Sequence, residues 1–126
     1  MPLSLFHFQF NPRKRKTFYV VDIFLHDTNQ EMLDHMKRPE YYDEVIASFV
    51  PSKGTNRYVG AIHLSRDKLE IESIIHESYH AGIRLQKMTG RNISEKYEER
   101  IVDSSSSLAA GIIKLLLDEK EEISYV

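Results

Sequence analysis

Apolar and polar positions change period several times along the chain, and each change marks an element. Residues 3 to 10 alternate loosely, with Leu3, Leu5 and His7 on one side and Phe6, Phe8 and Phe10 on the other, until Asn11-Pro12 breaks the run. A period of two predicts a short first strand or an aromatic arm. Thr17 to Leu25 carries β-branched and aromatic residues at both parities, which predicts a strand buried on both faces and central to a sheet. Thr28 with Glu31 forms a capping box ahead of Met32, Leu33 and Met36, so a short helix is expected over 29–37, ended by Pro39. Alternation returns from Asp43 to Val50 and, after the turn-rich 51–56, from Arg57 to Leu64, the pattern of a hairpin.

The second half has helical periods. Asp67 with Glu70 is a capping box that places a helix from about Lys68 to Met88, stopped by Gly90. Asn92 with Glu95 repeats the signature and opens a last helix over 94–121, with Tyr97, Ile101, Leu108, Ile112 and Leu115 on its buried side. Its small residues, Ser104 to Ser107 and Ala109 to Gly111, form a face that another helix can approach closely, with Gly82 as the counterpart. The expected class is α+β: a short sheet of about three to four strands packed on the helix over 68–88 and a long C-terminal helix.

Length limits this to one domain, 1–126. With 29% charged residues and a net charge of −2, the composition is that of a soluble globular protein and disfavours a general nucleic-acid binder. The one basic run, Arg13-Lys14-Arg15-Lys16, reads as a solvated turn. No apolar stretch has the length of a membrane span or the pattern of a signal peptide, so a cytoplasmic location is the default. The chain has no cysteine, so any metal must be held by nitrogen and oxygen. Nothing in the pattern speaks to oligomeric state.

That restriction matters because residues 74 to 82 read Ile-Ile-His-Glu-Ser-Tyr-His-Ala-Gly, with His76, Glu77 and His80 in the spacing H-E-x-x-H. Side chains four apart on a helix lie one above the other, so two imidazoles can grip one ion. The Glu77 carboxylate leans to the edge of the same face, where it can take a proton from a water beside the ion. The competing reading is a surface helix with solvated histidines. Ile71, Ile74, Ile75, Ala81, Ile83 and Leu85 weigh against it, since they predict a helix largely inside the protein, where two histidines and a carboxylate need a partner.

A catalytic zinc takes three protein ligands and keeps one position open, so the next helix should supply a third. Glu98 and Glu99 both qualify by position. Glu99 has Asp103 one turn further on the same face, which adds a second carboxylate able to accept the free N–H of a ligating histidine; Glu98 has no such companion. The competing reading of residues 98–100 is a solvated charged face.

H-E-x-x-H followed by E-x-x-x-D from a later helix resembles the gluzincin class of zinc metallopeptidases. The resemblance implies His76, His80 and Glu99 as Zn2+ ligands, Glu77 as general base and Asp103 as the carboxylate behind a ligand. The order of elements, a strand-rich N-terminal half with Thr28-x-x-Glu31-Met32, then Tyr58 to Leu64, then the motif helix, is similar to small HExxH domains of bacteriophage and prophage genomes. More distantly it is similar to the ImmA/IrrE-type minimal peptidases. The likeness runs over roughly residues 18 to 116, and only the metal motif in it is specific. No Asn precedes Glu99, Asp103 stands where ImmA/IrrE-type chains carry Asn, and no substrate-binding histidine follows the third ligand.

What the resemblance implies is a small zincin-like fold and metal-assisted hydrolysis of a peptide or amide bond in a peptide or protein substrate, with Glu77 carrying the proton from water to the leaving nitrogen. Tyr58, His63, Tyr79, Arg84 and Tyr97 are all candidate donors to the oxyanion, and spacing does not choose among them. A reading from another class is a zinc-stabilised binding module, a phage-type protein that occupies a host partner and cleaves nothing; Glu77 argues against it, because a structural site needs no base. A last expectation concerns Gly60, level with the metal if the 57–64 strand enters the motif helix by a tight turn. There the glycine either opens a backbone edge to an extended substrate or relieves packing against the helix.

Overall fold

A computed structural model describes residues 3–10, 18–37, 45–53, 57–88 and 98–125, apart from the side chains of Phe10 and Glu99. The basic run 13–16, Pro39, Gly90, the Asn92–Glu95 box and Tyr97 lie outside the described residues. The elements, in chain order, are strands β1 (Ser4–Phe10) and β2 (Tyr19–His26), helix α1 (Asn29–His35), strands β3 (Ser48–Pro51) and β4 (Tyr58–Ser65), then helices α2 (Ile71–Met88) and α3 (Glu98–Asp118). A 3-10 turn, Arg66–Lys68, precedes α2. The class is α+β, as the periodicity predicts.

The four strands form one mixed sheet in the order β1-β2-β4-β3. β1 runs antiparallel to β2, β2 parallel to β4, and β3 antiparallel to β4 as the predicted hairpin. Side-chain alternation sorts the sheet into two faces. One carries Phe6 and Phe8, Val21, Ile23 and Leu25, Phe49, Ile62 and Leu64, and this face meets Ile74, Ala81 and Leu85 of α2 and Leu108, Ile112 and Leu116 of α3 in the main core. The other carries His7, Asp22, Phe24, His26 and His63, with α1 packed over the end that holds His26 and His63.

β2 is therefore an inner strand but is not buried on both faces. Val21, Ile23 and Leu25 are sealed, while Val20, Asp22 and Phe24 are half-buried because only the short α1 covers their side. β4, with every residue from Val59 to Ser65 buried, is the deeper of the two inner strands.

Two helix starts differ in an instructive way. α1 begins as its capping box predicts, with Thr28 Oγ1 accepting from the Glu31 N–H at 3.1 Å, and it ends at His35, two residues early, where Lys37 turns to a positive φ of 61°. Asp67, by contrast, does not cap α2. Its carboxylate accepts from the backbone N–H of Asn29 at 2.9 Å, capping α1 from a distance, and α2 starts three residues later than expected. The first N–H of α2 finds a different partner: Ile71 donates to the Ser124 carbonyl at 2.9 Å, and Ser124 donates to Leu69 at 2.8 Å, so the C-terminal segment pairs with the entry to the helix.

On the long helix Leu116 is the buried residue where Leu115 was expected, and Leu115 is half-buried. The small-residue face performs as anticipated, since a Cβ on Gly82 would collide with Ser105 Oγ and crowd the Ile101 carbonyl at 3.3 Å. No described helix is long and apolar enough to cross a membrane.

Candidate metal centre

α2 lies along one margin of the sheet, covered on one side by the strands and α3 and open on the other. Ile74, Ser78, Ala81 and Leu85 point into the core; His76 and His80, about half a helical turn away, are exposed. Glu77 falls between these directions and is buried, with 6% of its surface accessible. The expectation that both histidines are buried with it is thus corrected: Ile75 and Tyr79 are half-exposed, because no strand among the described residues reaches around the outer side of the helix.

The one-turn spacing brings the two rings together as predicted. Nε2 of His76 and Nε2 of His80 face each other at 3.2 Å, with ring planes 73° apart. Two nitrogens held about 2.0–2.1 Å from one tetrahedral ion stand about 3.3 Å apart, so this pair needs almost no adjustment to share a metal. One ligand atom from each of His76, Glu77 and His80 lies within 4.8 Å of the others, the one such group among the described residues. The donor set is nitrogen and oxygen, in keeping with a chain that has no thiolate.

Glu77 is buried beside the two imidazoles, and its proton affinity is pulled two ways. Burial raises its pKa above the ordinary carboxylate value, while His76, His80 and a hydrogen bond from the Phe49 backbone pull the other way. That hydrogen bond follows from the sheet. Ser52 N–H bonds to Val59 O at 3.0 Å, and bonded pairs alternate along an antiparallel ladder, so Phe49 turns its own N–H outward, toward α2. Further along, Arg84 donates to the Ser52 carbonyl at 2.8 Å. β3 is thereby tied to α2 at two points. A cleft of about 420 Å3 opens in front of His76 and Glu77, walled by Val45, Ile46 and Ala47 on the β3 side and by Glu70, Glu72 and Ser73 on the helix side.

The remaining predicted residues separate. Glu98 and Asp103 are exposed on α3 and neither joins the group formed by His76, Glu77 and His80. The side chain of Glu99 lies outside the described set, although its backbone is in the first turn of α3. Of the oxyanion candidates, Tyr58 and His63 belong to the far face of the sheet, Tyr58 bonded to Asp22 and His63 to His26. Tyr79 lines a groove between α2 and α3. Arg84, one turn past His80, is the described candidate tied to β3, through the Ser52 carbonyl.

The substrate edge assigned to the 57–64 strand is overturned. Gly60 pairs with Val21 on one side and Pro51 on the other, so β4 has no free edge there. The glycine serves packing: its φ is +152°, and a Cβ would run into the Val50 carbonyl and stand 2.8 Å from the Phe49 ring. The outer strand beside α2 is β3, a role that the run 43–50 does not announce, because strand order is decided by contacts distant in sequence.

Comparison with protein-family models, with curated proteins and with solved structures returned no match.

Proposed function

We propose that the chain is a zinc-dependent hydrolase whose substrate is a peptide bond, worked at the His76–Glu77–His80 centre. The observation that carries this reading is the 3.2 Å approach of two imidazole nitrogens beside a buried carboxylate. A bound divalent ion supplies Lewis acidity there, polarising a carbonyl and acidifying water.

The chain's own residues do the rest. His76 and His80 hold the ion, and Glu99 is the proposed third ligand, with Asp103 supporting a ligating histidine. Glu77 takes the proton of the attacking water at its carboxylate and delivers it to the leaving nitrogen, a transfer for which a raised pKa is suited. The Phe49 N–H orients the carboxylate, and the open cleft gives a substrate access to it. The extended substrate lies in the cleft along the β3 side.

The test is a pair of measurements on purified protein: zinc content, and cleavage of a mixed peptide library read by mass spectrometry. Bound zinc that His80→Ala lowers by one equivalent, with cleavage that Glu77→Gln abolishes, supports the reading. Loss of zinc in Glu77→Gln, or cleavage unchanged by it, removes Glu77 from the role of base.

A further inference from the structure

A second group of histidines occupies the opposite face of the sheet, contributed by three elements that the α2 site does not use. His26 ends β2, His63 sits in β4 and His35 closes α1. Nε2 of His26 lies 3.0 Å from Nδ1 of His63. The ring centroids form a nearly equilateral triangle: 5.0 Å between His26 and His35, 5.3 Å between His26 and His63, and 5.7 Å between His35 and His63.

That triangle has the size a metal demands. Three imidazoles on one tetrahedral ion, each nitrogen about 2.0–2.1 Å from it, place their ring centroids roughly 5 Å apart. Two of the three rings are fixed. His26 and His63 are buried, at 2% and 6% exposure, and Phe24 stacks flat on His63 at 4.7 Å and 8°. His35 is exposed, with its ring 5.7 Å from the same Phe24. The three do not converge their ring nitrogens as His76, Glu77 and His80 do their ligand atoms, and the exposed His35 ring is the one with room to turn about its outer torsion.

We propose that His26, His35 and His63 form a second transition-metal site, taking zinc or another ion of similar preference for imidazole. Its work is structural. α1 has seven residues, too few to hold a helix by itself, and an ion shared by His35, His26 and His63 ties its last turn to the two inner strands. The same helix reaches the cleft, since Asn29 Nδ2 donates to the Val45 carbonyl at 3.0 Å, so fixing α1 also steadies one wall of the α2 site. The proposal does not depend on that site being catalytic.

Zinc alone is the probe, added in slight excess to the full chain and followed, after dialysis, by elemental analysis and calorimetry. Wild type should hold two equivalents, His80→Ala one, and His80→Ala/His35→Ala none. His35 is exposed, so its loss should leave the circular dichroism spectrum of the metal-free protein unchanged. In His80→Ala, zinc should also move the ring nitrogen resonances of His26 and His63. A folded His80→Ala protein that holds no zinc overturns the second site and leaves the α2 reading intact. Equal zinc in His80→Ala and His80→Ala/His35→Ala overturns it too, because the ion then lies elsewhere. If wild type holds one equivalent that His35→Ala removes and His80→Ala does not, the second site stands and the α2 reading falls.

Discussion

Arg84 donates to the Ser52 carbonyl at 2.8 Å, seven residues along α2 from the point where Glu77 accepts from the Phe49 backbone. Seven helical residues and three strand residues both cover about 10 Å, so β3 and α2 keep step between these two tethers. The outer strand of the sheet is thus held by side chains from the helix that carries the candidate base.

Removing the far tether should loosen the strand without touching the ion. Arg84→Ala is expected to cost about 1–2 kcal/mol of stability, the range for a partly exposed hydrogen bond from a charged group, while zinc content stays the same. Urea unfolding beside elemental analysis checks both halves. A variant as stable as wild type would mean that the Ser52 contact does not hold β3.

Glu77→Gln should change stability with a definite sign. Burial raises the carboxyl pKa, so the folded metal-free protein prefers the protonated form; this contribution is greatest below the ordinary carboxylate range and is lost as pH rises through the raised value. Glutamine has no charge to bury. The advantage of Glu77→Gln over wild type, both freed of metal, should therefore grow from pH 4 toward pH 8 in thermal unfolding. An advantage that shrinks over that interval would contradict the burial argument.

The histidine pair on the other face gives the opposite slope. Burial lowers the pKa of both His26 and His63 to about 4, with neighbouring histidines adding to the effect. Between about 6.5 and 4 the unfolded chain binds protons that the folded one refuses, so the metal-free protein loses stability as pH falls through that window. Replacing His63 with Gln should flatten part of that slope. Thermal unfolding at pH 7, 5.5 and 4.5 for the two proteins is the check, and identical slopes would mean that the pair is not the source.

Gly60→Ala should be among the most damaging single changes outside the site. The position combines a φ of +152° with a carbonyl, that of Val50, where the new methyl would go. Backbone strain and overpacking together predict a loss of about 2–4 kcal/mol. A loss under about 0.5 kcal/mol by urea unfolding would show that β3 can move aside.

These features differ in how far the sequence announces them. The His76–His80 pair is legible because it needs only the period of one helix, and the Thr28 cap and the 48–65 hairpin are local in the same way. Asp67 misleads because its spacing to Glu70 is a genuine capping signature, yet an N–H at Asn29, brought close by tertiary structure, takes the carboxylate first. Strand order is not written in alternation at all: β2 and β4 become neighbours only through α1 and the hairpin between them. The three-histidine group has no linear spacing to read, since its members come from two strands and a helix. Its one trace in the sequence is that His26 and His63 each stand at the parity opposite to the main core of their strands.

The third ligand is where the prediction is sharpest. Glu98 and Glu99 are adjacent in the first turn of α3, and helix geometry sends their side chains about 100° apart, so one ion cannot use both equally. Glu98 is exposed and stands apart from the His76–Glu77–His80 group, which leaves Glu99 as the glutamate to test. Glu99→Ala should weaken zinc binding at the α2 site strongly. Asp103→Ala should weaken it by roughly ten- to a hundredfold, the usual cost of losing a carboxylate that supports a ligand. Glu98→Ala should leave it within about twofold, as expected of a solvated side chain. The measurement is zinc affinity by competition with a chelating dye, made in a His35→Ala background so that the α2 site alone is read. If Glu98→Ala is the damaging change, the coordinating face of α3 is rotated by one residue and Asp103, which shares a face with Glu99 rather than Glu98, loses its supporting role with it.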